Sequence, residues 1–174
     1  LQPMFKMMYR AQADQTMVTR ALTVLGKFYH ALTHITDESK LLTEACRILV
    51  DNGGYKLAWI GAVLDEGDYS VRPVAVYGTN MGYVHGLQRS WTDEVIEYGP
   101  VAAAIRNGQP ASVRDVQSLE KFQSYRQEFV NKGIGSILVI PLRVDLATNG
   151  VLVIYSGSAT AFAENEVNWL VELA

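Results

Sequence analysis

Two pairs of short apolar runs, each pair divided by a polar turn, set the strongest limit on the fold. Residues 57–64 and 69–77 form the first pair, and residues 136–143 and 150–156 form the second. Runs of this length with a short Gly-, Asp- or Asn-containing connection predict β-hairpins. Hairpins dominate over long crossovers in this chain, which predicts an antiparallel sheet with helices packed on it, an α+β architecture.

Pro73 interrupts the second run of the first pair. A proline has no N–H to donate to a strand ladder, so it predicts either an edge position or a β-bulge. A further short strand is predicted at residues 110–113.

The first 32 residues are predicted to form one long helix. Its mostly apolar seam positions are spaced alternately by three and four residues, the pattern of a coiled coil, and Ala11 and Gln15 are its weak members: Leu1, Met4, Met8, Ala11, Gln15, Val18, Leu22, Leu25, Tyr29 and Leu32. We expect the part before Leu25 to self-associate and the rest to dock on the globular body; the alternative is that the whole helix packs on its own domain. The chain is thus divided into a linker or dimerisation helix over 1–32 and a globular domain over 22–174.

Two more helices have recognisable ends. A second helix is predicted after a break at Thr36-Asp37, where either residue can cap it, and Asn52-Gly53-Gly54 ends it. The final helix is predicted to begin after Phe162. Phe162 and Val167 have the spacing of a hydrophobic staple, and Glu166 occupies the acidic position of a capping box.

Charge and cysteine content restrict the partners and the compartment. The net charge is -3 and the 15 Lys and Arg residues are scattered, so the basic patch of a nucleic-acid-binding protein is missing. The single cysteine, Cys46, cannot form an internal disulfide, which favours a reducing compartment, the cytoplasm. No apolar run reaches the roughly 20 residues that span a bilayer. The chain begins at Leu1 and ends within a helical pattern, so we expect it to be part of a longer protein.

Four segments together resemble a GAF domain of the kind that adjoins diguanylate cyclase, histidine kinase or PAS modules: LLTEACRILVDNGGYKLAWIGAV, GPVAAAIRNGQPASVRDV, FQSYRQEFVNKGIGSILVIPL and GVLVIYSGSATAFAENEVNWLVELA. The resemblance implies a GAF/PAS-like central sheet of six antiparallel strands with helices on both faces. It also implies that the first and last helices lie together on one face, where many family members dimerise. The opposite face, with loops and short helices, would hold a small-molecule pocket.

Candidate ligand-binding residues come from the loop half of the chain: Tyr77, Tyr83, Trp91, Tyr98, Arg106, Asp115, Arg126 and Ser136. The aromatic side chains can supply a flat apolar wall with a hydrogen-bonding tip. The two arginines can hold a carboxylate or phosphate, and the Asp and Ser can add polar specificity. The alternative for each is core packing or a surface salt bridge. Trp59 and Tyr155 lie in predicted central strands and are assigned to the core.

The sequence gives little support for a catalytic site or a bound cofactor. Bilin-binding and methionine-sulfoxide-reducing members of the resembled family use pocket cysteines, whereas Cys46 lies on the apolar face of a predicted helix. His30 and His34 share one helix face but lack the Glu pattern of a metalloprotease. His85 is the only candidate haem ligand in the pocket half, and its alternative is an exposed loop residue. The Asn-Lys, Phe and Asp-Glu series of cyclic-nucleotide-binding members is not found, so the cofactor stays unknown.

These observations predict a non-catalytic sensory or regulatory domain of a bacterial signal-transduction protein. It would bind an unknown small molecule, mediate homodimerisation through its N- and C-terminal helices, or both, and so control an effector domain in the same parent chain. That effector would be a diguanylate cyclase, phosphodiesterase or kinase. The alternative is a purely structural dimerisation module with a vestigial pocket. An enzyme built on Asp115 and a distant partner is the third hypothesis, and no nucleophile, base or metal cluster supports it.

Overall fold

A computed structural model of the chain describes residues 2–65, 70–79, 99–114, 133–144, 147–158 and 161–173. Elements are numbered in chain order over these residues. The helices are α1 (Gln2–His34), α2 (Glu38–Asp51), α3 (Pro100–Asn107) and α4 (Glu164–Leu173). The strands are β1 (Leu57–Asp65), β2 (Ser70–Gly78), β3 (Ala111–Arg114), β4 (Ser136–Val144) and β5 (Ala147–Ser156).

The strands form one antiparallel sheet in the order β2-β1-β5-β4-β3. Both predicted hairpins are present as β1–β2 and β4–β5, and they join through the β1–β5 pair. The predicted α+β architecture with a long N-terminal helix is therefore confirmed. The described residues account for five strands, against the six that the family resemblance implies.

Pro73 lies both at an edge and at a bulge. β2 ends the strand order, and its register with β1 shifts between the Ile60–Ala75 and Gly61–Pro73 pairs. Gly61 is required at this point because a Cβ atom there would lie 2.3 Å from Cγ1 of Val71. Pro73 therefore satisfies both predicted alternatives, the edge position and the β-bulge.

Alternating side chains divide the buried residues between two sides of the sheet. One side, the α3 face, contains Trp59, Val139 and Val153 beneath α3. The other side, the terminal-helix face, contains Ile140 and Ile154 beneath α1, α2 and α4. The terminal helices therefore pack on the same side of the sheet, as the resemblance implied.

The predicted helix ends are close to those observed. Asp37 caps α2, its Oδ1 accepting from the Lys40 N–H at 3.0 Å. At α4, Oε1 of Glu166 accepts from the N–H of Phe162 at 2.6 Å. In a capping box the acid at position 166 would accept from the N–H of Ala163, three residues earlier; here it accepts from Phe162, one residue before that.

Helix α1 has two apolar faces. Its docked face carries Val24 and Ala31, which are 0% and 5% exposed. A second row is exposed to solvent and is called the α1 stripe: Met4, Met8, Val18, Leu22, Tyr29 and Leu32. With 3.6 residues per turn, the α1 stripe is centred about 150°, nearly half a turn, from Val24 and Ala31. The division of the chain into a helix over 1–32 and a domain over 22–174 stays a prediction.

No helix among the described residues is both long and apolar enough to cross a membrane.

Candidate functional site

Three of the eight predicted ligand-binding residues fall within the described residues, and the structure does not bring them together. Tyr83, Trp91, Tyr98, Asp115 and Arg126 lie outside the described residues. Arg106 is exposed in the last turn of α3. Ligand binding by any of the eight stays a prediction.

Tyr77 and Ser136 face the terminal helices rather than α3. Tyr77 pairs with Ala58, whose side chain belongs to the terminal-helix face, and its hydroxyl donates to Oδ2 of Asp51 at 3.0 Å. This hydrogen bond to a carboxylate raises the pKa of Tyr77. Ser136 alternates with Ile137, so it shares the side of Leu138; it is buried and donates to the carbonyl oxygen of Ser158 at 2.6 Å. A single cavity on the α3 face therefore does not include these two side chains, because strand register turns them away from it.

Trp59 and Tyr155 lie in the core on the α3 face, as the sequence predicted. Trp59 and Tyr155 are 1% and 2% exposed, and the indole N–H of Trp59 donates to the Tyr155 hydroxyl at 3.1 Å. Their apolar neighbours include Val139 and Val153. The paired polar atoms allow two amphipathic rings to occupy a buried site without an unmet N–H.

A buried polar cluster joins the two terminal helices. Glu166 of α4 is only 6% exposed, yet its carboxylate is shared by three segments. Oε2 accepts from Nη2 of Arg20 on α1 at 2.6 Å and from the Tyr55 hydroxyl at 3.0 Å. Oε1 accepts from the Phe162 N–H, so one buried charge ties α1, the α2–β1 connection and the start of α4. This cluster of Arg20, Tyr55, Phe162 and Glu166 is called the helix junction.

Aromatic contacts reinforce the helix junction. The rings of Tyr55 and Phe162 stack with centroids 5.8 Å apart, and Cζ of Arg20 lies 5.5 Å from the Tyr55 centroid. Burial and the charge of Glu166 raise the pKa of Tyr55, so its hydroxyl stays a donor. Phe162 has φ of 67°, a left-handed conformation that costs a non-glycine residue about 1–2 kcal/mol. The hydrogen bond from its N–H to Glu166 helps to offset that cost.

One feature of the sequence points to the helix junction. Arg20 stands in the same helical row as Val24 and Ala31, the docked face of α1. A charged residue in such a row requires a buried partner. The capping-box pattern predicts only the backbone contact of Glu166, and no sequence pattern distinguishes Tyr55.

The described residues offer neither a reactive thiol nor a group of side chains placed to bind a metal ion. Cys46 is fully buried on the terminal-helix face, and burial raises the pKa of its thiol to about 12. His30 and His34 stack with ring centroids 4.1 Å apart, and Nδ1 of His34 lies 2.9 Å from the His30 carbonyl oxygen. Over the described ranges, no group of three or more His, Cys, Asp or Glu residues is placed to hold a metal ion.

A sheet of this order, with both terminal helices on one face, agrees with the comparison to protein families. The family model described as GAF domain matches residues 35–174. The chain belongs to the GAF domain family. A search among curated proteins found no match.

Solved GAF-type structures share the fold at low sequence identity. The nlh2 GAF domain of A. aeolicus in an inactive state has a TM-score of 0.63 and 15% identity, with 90% of each chain covered. The GAF domain of an Acinetobacter phosphoenolpyruvate-protein phosphotransferase has a TM-score of 0.65 and 20% identity, covering 87% of this chain and 86% of its own. A free methionine-R-sulfoxide reductase from Neisseria meningitidis, solved with its substrate, has a TM-score of 0.63 and 17% identity, covering 87% and 81%. At these identities the likeness shows the fold alone.

Proposed function

We propose that this GAF domain is a non-catalytic sensory or regulatory module of a bacterial signal-transduction protein in the cytoplasm. It binds a small molecule, mediates homodimerisation, or both, and so controls an effector domain in the same parent chain. The observation that carries this proposal is the helix junction, in which one buried carboxylate holds both terminal helices.

The direction of the terminal helices supports a relay. Arg20 meets Glu166, and farther along both helices Phe28 and Leu170 line the same cavity. Helices α1 and α4 therefore run in the same direction on one side of the sheet. A shift of one helix has to be followed by the other or has to break the junction, and two such arrangements with different ligand affinity are what coupling requires.

The α1 stripe supports dimerisation. It continues the heptad spacing along most of the helix, and it faces away from the docked side. Leu22 and Tyr29 are 63% and 62% exposed. Pairing the stripe with that of a second copy would bury these side chains in a coiled coil.

The cysteine content supports a non-catalytic role despite the reductases among the structural neighbours. Reduction of a sulfoxide by a thiol leaves an oxidised sulfur that a second thiol must reduce. This chain has one cysteine, and the raised pKa of Cys46 keeps the buried thiol protonated and unreactive.

The purely structural dimerisation module is the second candidate, favoured by the α1 stripe. A melting screen against nucleotides, amino acids and haem, combined with a distance measurement between spin labels at Lys27→Cys on α1 and Asn168→Cys on α4, separates the two. Both labelled positions are exposed, and buried Cys46 can stay in place. A ligand at 100 times its Kd should stabilise the domain by about 2.7 kcal/mol and shift the distance between labels. If no ligand in the screen stabilises the domain or shifts the distance between labels, the sensory role is contradicted and the structural one remains.

A further inference from the structure

A cavity of about 180 Å³ lies on the terminal-helix face between α1, α2, α4 and the sheet. Phe28 and Ala31 of α1, Ala45 and Leu49 of α2, Leu152 of β5 and Leu170 of α4 are among its walls. All eleven lining residues are Ala, Leu, Ile or Phe. The cavity is thus separated by the whole sheet from the α3 face, where the family resemblance placed a ligand pocket.

The lining decides what the cavity can hold. A buried water needs two to four polar partners, and none of the lining side chains has a polar atom. Empty space of this size leaves the surrounding side chains without dispersion contacts on one side. An apolar cavity of roughly 150 Å³ is large enough for benzene, so the present one fits a ligand of similar or slightly greater size.

We propose that this cavity is a binding site for a small apolar molecule, of the size of a monocyclic aromatic or a short alkyl chain. No charge or hydrogen bond fixes the ligand, so shape and the absence of polar groups determine selectivity. Leu32, 58% exposed, belongs both to the cavity wall and to the α1 stripe. The cavity wall therefore extends to the surface along which a second copy is proposed to pack.

The position of the site gives it a consequence for the terminal helices. Its walls include residues of both α1 and α4, so a ligand makes its full set of contacts only when both helices are docked. Binding therefore favours the docked arrangement. This consequence depends on the proposed relay function, whereas the binding site itself does not.

The test uses the full chain and toluene as the probe, with phenol as the polar control of the same size. Burying a hydroxyl without a partner is costly, so we expect the Kd for phenol to be about tenfold or more above that for toluene. Methyl resonances of Leu49, Leu152 and Leu170 should shift on toluene addition. Equal affinity for the two probes, or shifts spread over surface methyl groups, would overturn the proposal.

A filled-cavity variant gives the matched comparison. In Ala45→Leu the added side chain occupies the cavity, so toluene should bind about tenfold or more weakly. Thr43→Leu adds the same side chain to the exposed side of the same helix and should bind toluene like the wild type. Unchanged toluene binding in a folded Ala45→Leu protein would refute the site; if that variant does not fold, the toluene–phenol comparison on the wild type decides. Toluene binding without a change in the α1–α4 label distance would preserve the site and count against the relay.

Discussion

The two faces of the sheet are built by different means. The α3 face has a buried apolar core in which the indole N–H of Trp59 donates to the Tyr155 hydroxyl. The terminal-helix face holds a buried charge, an apolar cavity and a helix whose second apolar row is exposed. A buried ion pair fixes one geometry without adding much net stability. The cavity and the exposed row of α1 lie on the same side of the sheet as this ion pair, in agreement with the proposed relay through the terminal helices.

Removing the carboxylate of the helix junction should have the largest effect. Glu166→Ala leaves Arg20 and Tyr55 without their shared acceptor and removes the acceptor of the Phe162 N–H. We expect a loss of about 3–4 kcal/mol in the free energy of unfolding, measured by urea denaturation. Glu44→Gln, which weakens the surface ion pair with Arg47, should cost below about 1 kcal/mol. Similar losses for the two variants would show that the junction has no special role.

A charge within the α1 stripe should have the next largest effect. Leu22→Glu is expected to weaken dimerisation by about 2 kcal/mol per chain, and so by about 4 kcal/mol per dimer or roughly a thousandfold in Kd, because a buried leucine contact is replaced by a solvated carboxylate. Sedimentation equilibrium measures the change. Thr23→Glu, at an exposed position outside the stripe, is the control and should dimerise like the wild type. If the wild type is a monomer, the proposed homodimerisation is wrong.

A smaller effect is expected at the centre of the α3 face. Tyr155→Phe deletes the hydroxyl that accepts from the Trp59 indole, at a cost of about 1–2 kcal/mol. Urea denaturation gives the loss, and the distance between labels on α1 and α4 should not change. A change in that distance would show that the two faces are coupled through the sheet, contrary to the contrast drawn between them.

The regular parts of the fold were accessible from the sequence because they follow from short-range patterns. The hairpins, the bulge at Pro73 and the cap at Asp37 each depend on residues close together in the chain. Arg20 and Glu166 are 146 residues apart, and no periodicity connects them. The sides taken by Tyr77 and Ser136 depend on strand register, which a composition argument cannot supply. The candidate site was therefore less predictable than the architecture.

The pH dependence of stability that is due to Cys46 shows whether water reaches the interior of the terminal-helix face. Burial raises the pKa of its thiol to about 12 from an ordinary value near 9. Because the unfolded chain loses the proton first, this group stabilises the fold fully below about pH 9, and the contribution falls by roughly 1.4 kcal/mol per pH unit until the pKa of the folded state is reached. Between pH 8 and pH 10 the wild type should therefore lose about 1 kcal/mol more unfolding free energy than Cys46→Ala. The raised pKa of Tyr55 acts in both proteins and cancels in the comparison. Parallel pH profiles would mean that water reaches the thiol, and the helices on this face would then open more readily than their packing indicates.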